Sequence, residues 1–575
     1  MILFFCANLV GQSESYSQDE SEEPDETHFT YTLLEYLFDP LDLYTTDSIE
    51  LVSRNYPTEA IELIQSWQRA GSTKKGYQNL QKNWSDDYPN LPSISSAKTG
   101  LITRQRLQYS PSLEGWRMLH KARVDHKIAN LTIIVEQDPG ESKVNDHFAL
   151  SLTSERVPGF DRIVAGHFNI AWGSGLIRDQ NRGRVSLNPG SLISKLRVNA
   201  IPHYSSREDL YFQGIAGEWQ RNGLKGSIFI SSRNLTGQMN ENQFTEDADG
   251  IHLSGKSYHI ERVNDAGLAG IYEMGTLDIF IASRYNSLNE QRLKSEFGIH
   301  WNFDESHKFQ VFINNDRQNE PRSILNWSYS TRSLSMSAQY RRFETLTGLD
   351  DAQVLRLLGS GSQSESGLSF RLLVRANKSL TLRYALDRGA AFYLYSLADM
   401  RHVSQHKAQI IYHNAQRVWQ IDWSQKKEGP IYPTDIWQAS NPYLKISKLN
   451  ISLKEKLTDN FLYRLNFKTA SNGEFRSILI QQRVNWQSNP WKISTGFIRF
   501  SIPEAALRIS VYETGLLESF NFFTAFEDGQ RWYIYLRYVT NTQNSVEIQL
   551  AQTKLFSGKV GQNLPSMNFQ LSIVL

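Results

Sequence analysis

From about residue 100 to its last residue, the chain repeats one pattern of alternating apolar and polar side chains. Period two is the signature of a β-strand whose two faces meet different surroundings. In "VWQIDWS", Trp419, Ile421 and Trp423 alternate with Gln420, Asp422 and Ser424; in "SLTLRYALD", Leu380, Leu382, Tyr384 and Leu386 alternate with Thr381, Arg383 and Asp387. "RWYIYLRYV" and "SVEIQLA" do the same. The closing "MNFQLSIVL" puts Met567, Phe569, Leu571, Ile573 and Leu575 in one row and Asn568, Gln570 and Ser572 in the other, Val574 being the exception. Chain ends fray unless neighbours hold them, so a patterned terminal strand points to a sheet that it completes. A closed barrel is such a sheet, and the expected partner is the strand beginning near Ile102.

A soluble β-sandwich alternates in the same way, so periodicity alone does not choose between the two. Here 13 Trp, 26 Tyr and 29 Phe coexist with a mean hydropathy of −0.46, the combination that alternating strands in lipid produce. The segments approach the ~10 residues that a tilted strand needs to cross a bilayer, and aromatics gather toward their ends, as in "NPWKISTGFIRF". Connections come in two sizes: tight ones at Asn222-Gly223, "NKS", "SNP" and "EDGQ", and long ones at 234–262 and 344–366. The expected fold class is all-β, an antiparallel outer-membrane barrel of about 16 to 24 strands over residues 99–575 with a small helical segment before it. An even strand number and short periplasmic turns put both barrel ends on the periplasmic side.

The N-terminal part reads differently. Residues 1–11 hold the chain's one long apolar run, "ILFFCANLV", which is shorter than the ~20 residues of a spanning helix and resembles the apolar part of a signal peptide. Cys6 lies in it, without the small residues expected ahead of a lipidated cysteine, so removal of the signal would leave a chain with neither disulfides nor thiolate metal sites. Residues 12–28 are acidic and nearly free of aliphatic side chains, a solvated linker. In 29–98, Asp47 and Glu50 have capping-box spacing and Ile61, Ile64 and Trp67 recur at helical spacing before Gly71, giving two short helices and a connector. Lys and Arg total 61 against 60 Asp and Glu, so no global field draws the chain to nucleic acid.

Four stretches carry a resemblance. "IVAGHFNIAWGSGL" is followed by "AIPHYSSREDLYFQGIAGEW", and upstream stand "VEQDPGES" and a "PLDL" start at Pro40. Together they resemble a Bacteroidota-type family of outer-membrane barrels with an N-terminal helix-hairpin-helix segment. The "LGDY"-like strand is Ala165-Gly166-His167-Phe168, the "FGQGL"-like turn is Trp172-Gly173-Ser174-Gly175-Leu176, and the later family stretch runs from Ile201 and Pro202 through Tyr204, Phe212 and Gly214 to Ala216. The resemblance covers roughly residues 37 to 225, and it implies a periplasmic segment similar to the DNA-binding fold of competence proteins, where a glycine hairpin offers backbone amides to phosphate. Here that hairpin reads Arg54-Asn55-Tyr56-Pro57-Thr58, with no glycine and a proline that lacks a donor. Lys74, Lys75, Lys82 and Lys98 are few and scattered, so a periplasmic protein is the expected partner of residues 30–98, and outer-membrane lipid that of the barrel.

Three constellations could carry more. Arg178, Arg182, Arg184, Lys195 and Arg197 stand against Asp179 alone, and would hold lipid headgroups, line a pore or meet the acidic loop of Glu241, Glu246, Asp247 and Asp249; a solvated loop explains them as well. Asp399, His402 and His406 would reach one metal on a helix, but Val403 stands where H-E-x-x-H needs its Glu, so no metal site is expected. His167, Asn169 and Ser174 share a neighbourhood like that of membrane-embedded hydrolases, without an activated-nucleophile motif. "GSGLIR" and "GSGSQ" lack the P-loop lysine and read as turns. The expected function is a conduit or scaffold with no cofactor and no catalysis, DNA uptake and membrane-embedded hydrolysis being its rivals.

Overall fold

The computed structural model describes residues 100 to 574, apart from 111–114, 138–146, 174–186, 188–195, 204–210, 241–242, 247–258, 288–291, 317–321, 344–363, 393–400, 431–443, 515–521, 541–543, 557–562 and a few single turn positions. The signal-peptide, linker and helix-hairpin-helix readings fall on residues outside these. Among the described residues the only helix is one 3-10 turn, Ala505–Leu507.

Nearly everything else is one 26-stranded antiparallel sheet. Val198–Pro202 and Gln243–Glu246 are side branches of it, so 24 of the 26 strands form the main circuit. That circuit closes. Gly100–Ser110 pairs on one edge with Gly115–Asp125 and on the other with Asn563–Val574, in a register running from Ile102↔Val574 to Gln108↔Asn568. The terminal strand therefore has the partner that its alternation predicts, and the strand number is even and at the top of the expected range.

The two rims differ as outer-membrane barrels do. At one, turns are tight: Asn222 and Gly223 take φ of 49° and 80° between Phe212–Arg221 and Leu224–Asn240, the paired left-handed conformation of a two-residue hairpin. Gly100 lies opposite Asp125, which enters such a turn, so the start of the first strand and the end of the last share the short-turn rim. The strand ends that the long connections join, such as Phe343 and Ser364, lie at the other rim. Two of the expected connections are corrected. His259–Met274 pairs with Leu224–Asn240 from Tyr272↔Leu224 up to His259↔Gly237, so both ends of 234–262, residues 234–240 and 259–262, are strand rather than loop. "EDGQ" does not join two wall strands; it leads from the short strand Phe522–Ala525, which lies inside the barrel, to the wall strand Gly529–Val539.

The outer face is apolar around the circuit. Exposed large side chains meet directly across strands as Ile215↔Ile230, Ile281↔Phe297, Phe297↔Ile313, Tyr340↔Leu368, Ile410↔Ile421, Phe497↔Trp532 and Ile534↔Leu550. A soluble domain rarely exposes more than a few hundred Å² of contiguous apolar surface, whereas lipid makes such a belt stable. Near the short turns stands an aromatic girdle: Trp301 stacks on Phe303 at 3.6 Å, Trp491 lies 4.5 Å from Tyr538, and Tyr412 sits opposite Trp419. The inner face is polar and hydrogen-bonded. Asp422 accepts from Gln409 at 2.6 Å, Asn450 at 2.8 Å and Gln420 at 2.8 Å, and Arg371 pairs with Asp387 at 2.9 Å with both side chains fully buried.

Candidate functional site in the lumen

Two segments fold inward from the long-loop side and pack on the inner wall. The first begins in the wall strand Arg162–Trp172. Its lower half pairs in the wall with Phe212–Arg221, from Arg162↔Glu218 to Phe168↔Phe212. At Gly166 the φ is +93°, and a Cβ there would come within 2.1 Å of the Leu150 carbonyl oxygen, so only glycine permits this bend. Beyond it, Phe168 to Trp172 pair instead with Val198–Pro202 as a two-stranded ribbon.

The ribbon crosses the inner wall. Phe168 stacks on Phe212 at 5.7 Å, Trp172 donates its Nε1 hydrogen to Ser227 Oγ at 2.7 Å, and the backbone at Gly173 reaches Phe280 and Glu296, several strands further on. Bare patches of wall receive it. Gly267 leaves room for the rings of Trp172 and Phe229, and Gly298 for Phe312, where a Cβ would stand 2.5 to 2.7 Å from those rings. The packed cluster includes Val164, Ile170, Trp172, Val198, Phe229, Ile271, Phe280 and Phe312. Here the inward row is apolar, unlike the polar inner face around Asp422 and Arg371.

The second insert is the hairpin Ile509–Tyr512 with Phe522–Ala525, between wall strands Trp491–Ser501 and Gly529–Val539. Leu507, Ile509, Val511 and Ala525 pack on Ile446, Leu479, Ile498 and Phe500 of the wall. Polar side chains from the wall hold its backbone: Lys468 donates to the Ser510 carbonyl at 2.6 Å, Gln481 to that of Tyr512 at 2.9 Å and Gln549 to that of Thr514 at 3.3 Å. Arg531 grips Glu513 with two bonds of 2.6 and 3.0 Å. The bidentate pair is largely withdrawn from solvent, where such bonds are stronger than average.

The residues singled out from sequence divide. Gly166, Trp172, Gly173, Phe212 and Gly214 of the family motif all build the ribbon or its seat; a Cβ on Gly214 would come within 2.1 Å of the Ile230 carbonyl oxygen. Gly175, Leu176 and Tyr204 lie outside the described residues, as do Arg178, Arg182, Arg184 and Lys195. Arg197 is described, and its carbonyl accepts the Gly173 amide at 3.0 Å. His167 has its Nδ1 3.0 Å from the Leu150 amide nitrogen, which places the ring in the gap where the bending strand leaves its neighbour. Asn169 lies 3.3 Å from His203, and Ser174 is outside the described residues. His402 and His406 stand on the strand Arg401–His413, not on a helix, which puts their α-carbons about 13 Å apart, too far for one metal. Asp399 lies outside the described residues. Sequence reasoning missed both inserts.

No family model matches the chain and no curated relative does. Solved structures with a similar fold exist. The siderophore receptor PirA of Pseudomonas aeruginosa is 7% identical, with 84% of this chain and 82% of that one covered at a TM-score of 0.42. PirA of Acinetobacter baumannii is 10% identical, with 84% and 81% covered at 0.45. The FrpB iron transporter of Neisseria meningitidis (F3-3 variant) is 8% identical, with 83% and 82% covered at 0.43.

Proposed function

We propose that this chain is an outer-membrane conduit without chemistry of its own, its passage occupied at rest by the ribbon and the hairpin. One observation carries the reading: a closed circuit of strands with an apolar outer belt surrounds a polar lumen. Barrels of this size are wide enough to pass solutes unless something fills them. With short turns facing the periplasm, the barrel ends at Gly100 and Val574 lie there, and residues 30–98, which precede the first strand in sequence, would dock a periplasmic protein. Hydrolysis is the weaker reading, because the imidazole of His167 is engaged with the Leu150 backbone.

Planar-bilayer recording tests the conduit. The purified, heat-modifiable protein should give discrete conductance steps. Bilayers that contain folded protein yet stay silent at every voltage would favour a scaffold instead.

A further inference from the structure

The inner wall is not uniform in charge. On the ribbon side, cations and carboxylates face each other in pairs: Arg162 with Glu218 at 2.8 Å, Arg284 with Asp265 at 2.7 Å and His300 with Asp278 at 3.3 Å. Across the barrel, the four consecutive strands Leu444–Lys456, Phe461–Ser471, Arg476–Ser488 and Trp491–Ser501 contain a single carboxylate, Glu455. Adjacent residues of a strand face opposite ways, so Glu455 faces away from the row of Lys454, and it pairs with Arg417 at 2.7 Å.

The inward row of these strands carries Lys448, Lys454, Arg464, Lys468 and Arg483. Three of them stand directly opposite one another at one height, Lys454↔Arg464 and Arg464↔Arg483. Opposed side chains of one sign add their fields at one height of the wall. The hairpin rests against the same stripe with acceptors and a ring: the Ser510 carbonyl on Lys468, and the Thr514 hydroxyl at 3.3 Å and the Tyr512 ring at 5.7 Å on Arg483.

We propose that this stripe makes the lumen selective for anionic solutes, which travel along the wall of residues 444–501 beside the hairpin. A wall of one sign in a narrow, low-dielectric passage concentrates the opposite charge, and rings of Lys and Arg are how anion pores discriminate. The proposal deepens the conduit reading and rests on it.

The reversal potential across a planar bilayer in a KCl gradient is the test, recorded for the full chain and for a variant with residues 505–525 replaced by a short Gly/Ser linker. Chloride should permeate about fivefold better than potassium, Lys454→Glu with Arg464→Glu should abolish or invert that preference, and Arg464→Lys should keep it. A cation preference, no preference, or a preference that charge reversal leaves unmoved would overturn the proposal while leaving the conduit standing. Silence from both the full chain and the linker variant would remove the conduit, and the selectivity with it.

Discussion

Deleting residues 567–575 abolishes assembly. Those residues make up the whole ladder between Asn563–Val574 and the first strand, from Ile102↔Val574 to Gln108↔Asn568, and much of the ladder to Ser545–Leu555 as well. Without them Gly100–Ser110 presents an open edge to lipid, where each unsatisfied backbone group costs several kcal/mol and no water replaces the lost partner. The expected readout is complete loss of the heat-modifiable band from the membrane fraction. A truncated protein that still gave that band would refute closure through this pair of strands.

Replacing residues 505–525 by a short Gly/Ser linker should leave the barrel assembled and raise its conductance about tenfold, because the wall strands on either side pair directly with each other and the lumen of a barrel this wide is otherwise open. The exchange has a cost. Arg531 loses the Glu513 carboxylate that now satisfies it, and a buried polar group left without its partner costs about 1 to 3 kcal/mol. The variant should therefore unfold at lower temperature in detergent while conducting better. Equal conductance with and without the hairpin would mean that it does not obstruct the passage.

Much of the wall was legible in the residues themselves. Trp419, Ile421 and Trp423 are exposed on the outer face, while Asp422 takes its hydrogen bonds inside, as the alternation of "VWQIDWS" predicts. The inserts were not, for a physical reason. Alternation shows that a segment is a strand but not which side of it is apolar, and Phe168, Ile170 and Trp172 alternate as well inside the lumen as they would in the wall. A signal was present. Gly166, Gly267 and Gly298 stand where a Cβ would strike a neighbouring strand or ring, and such glycines in a strand mark a bend or a close approach. The cationic stripe needs the register too, since Lys454, Arg464 and Arg483 come from three strands and meet only once pairing is known.

Closure of the wall is the claim on which the rest depends, and a disulfide trap reads it most directly. Gln105 stands opposite Leu571 in the closing ladder, and opposed residues in an antiparallel pair are about 4.5 to 5.5 Å apart at their α-carbons, within the reach of a disulfide. With Cys6→Ser as background, Gln105→Cys combined with Leu571→Cys should oxidise in intact membranes to an intramolecular disulfide, seen as a faster-migrating denatured band that reductant removes. A protein that reached the membrane but gave no such band, or cross-linked only to other copies, would contradict a closed barrel.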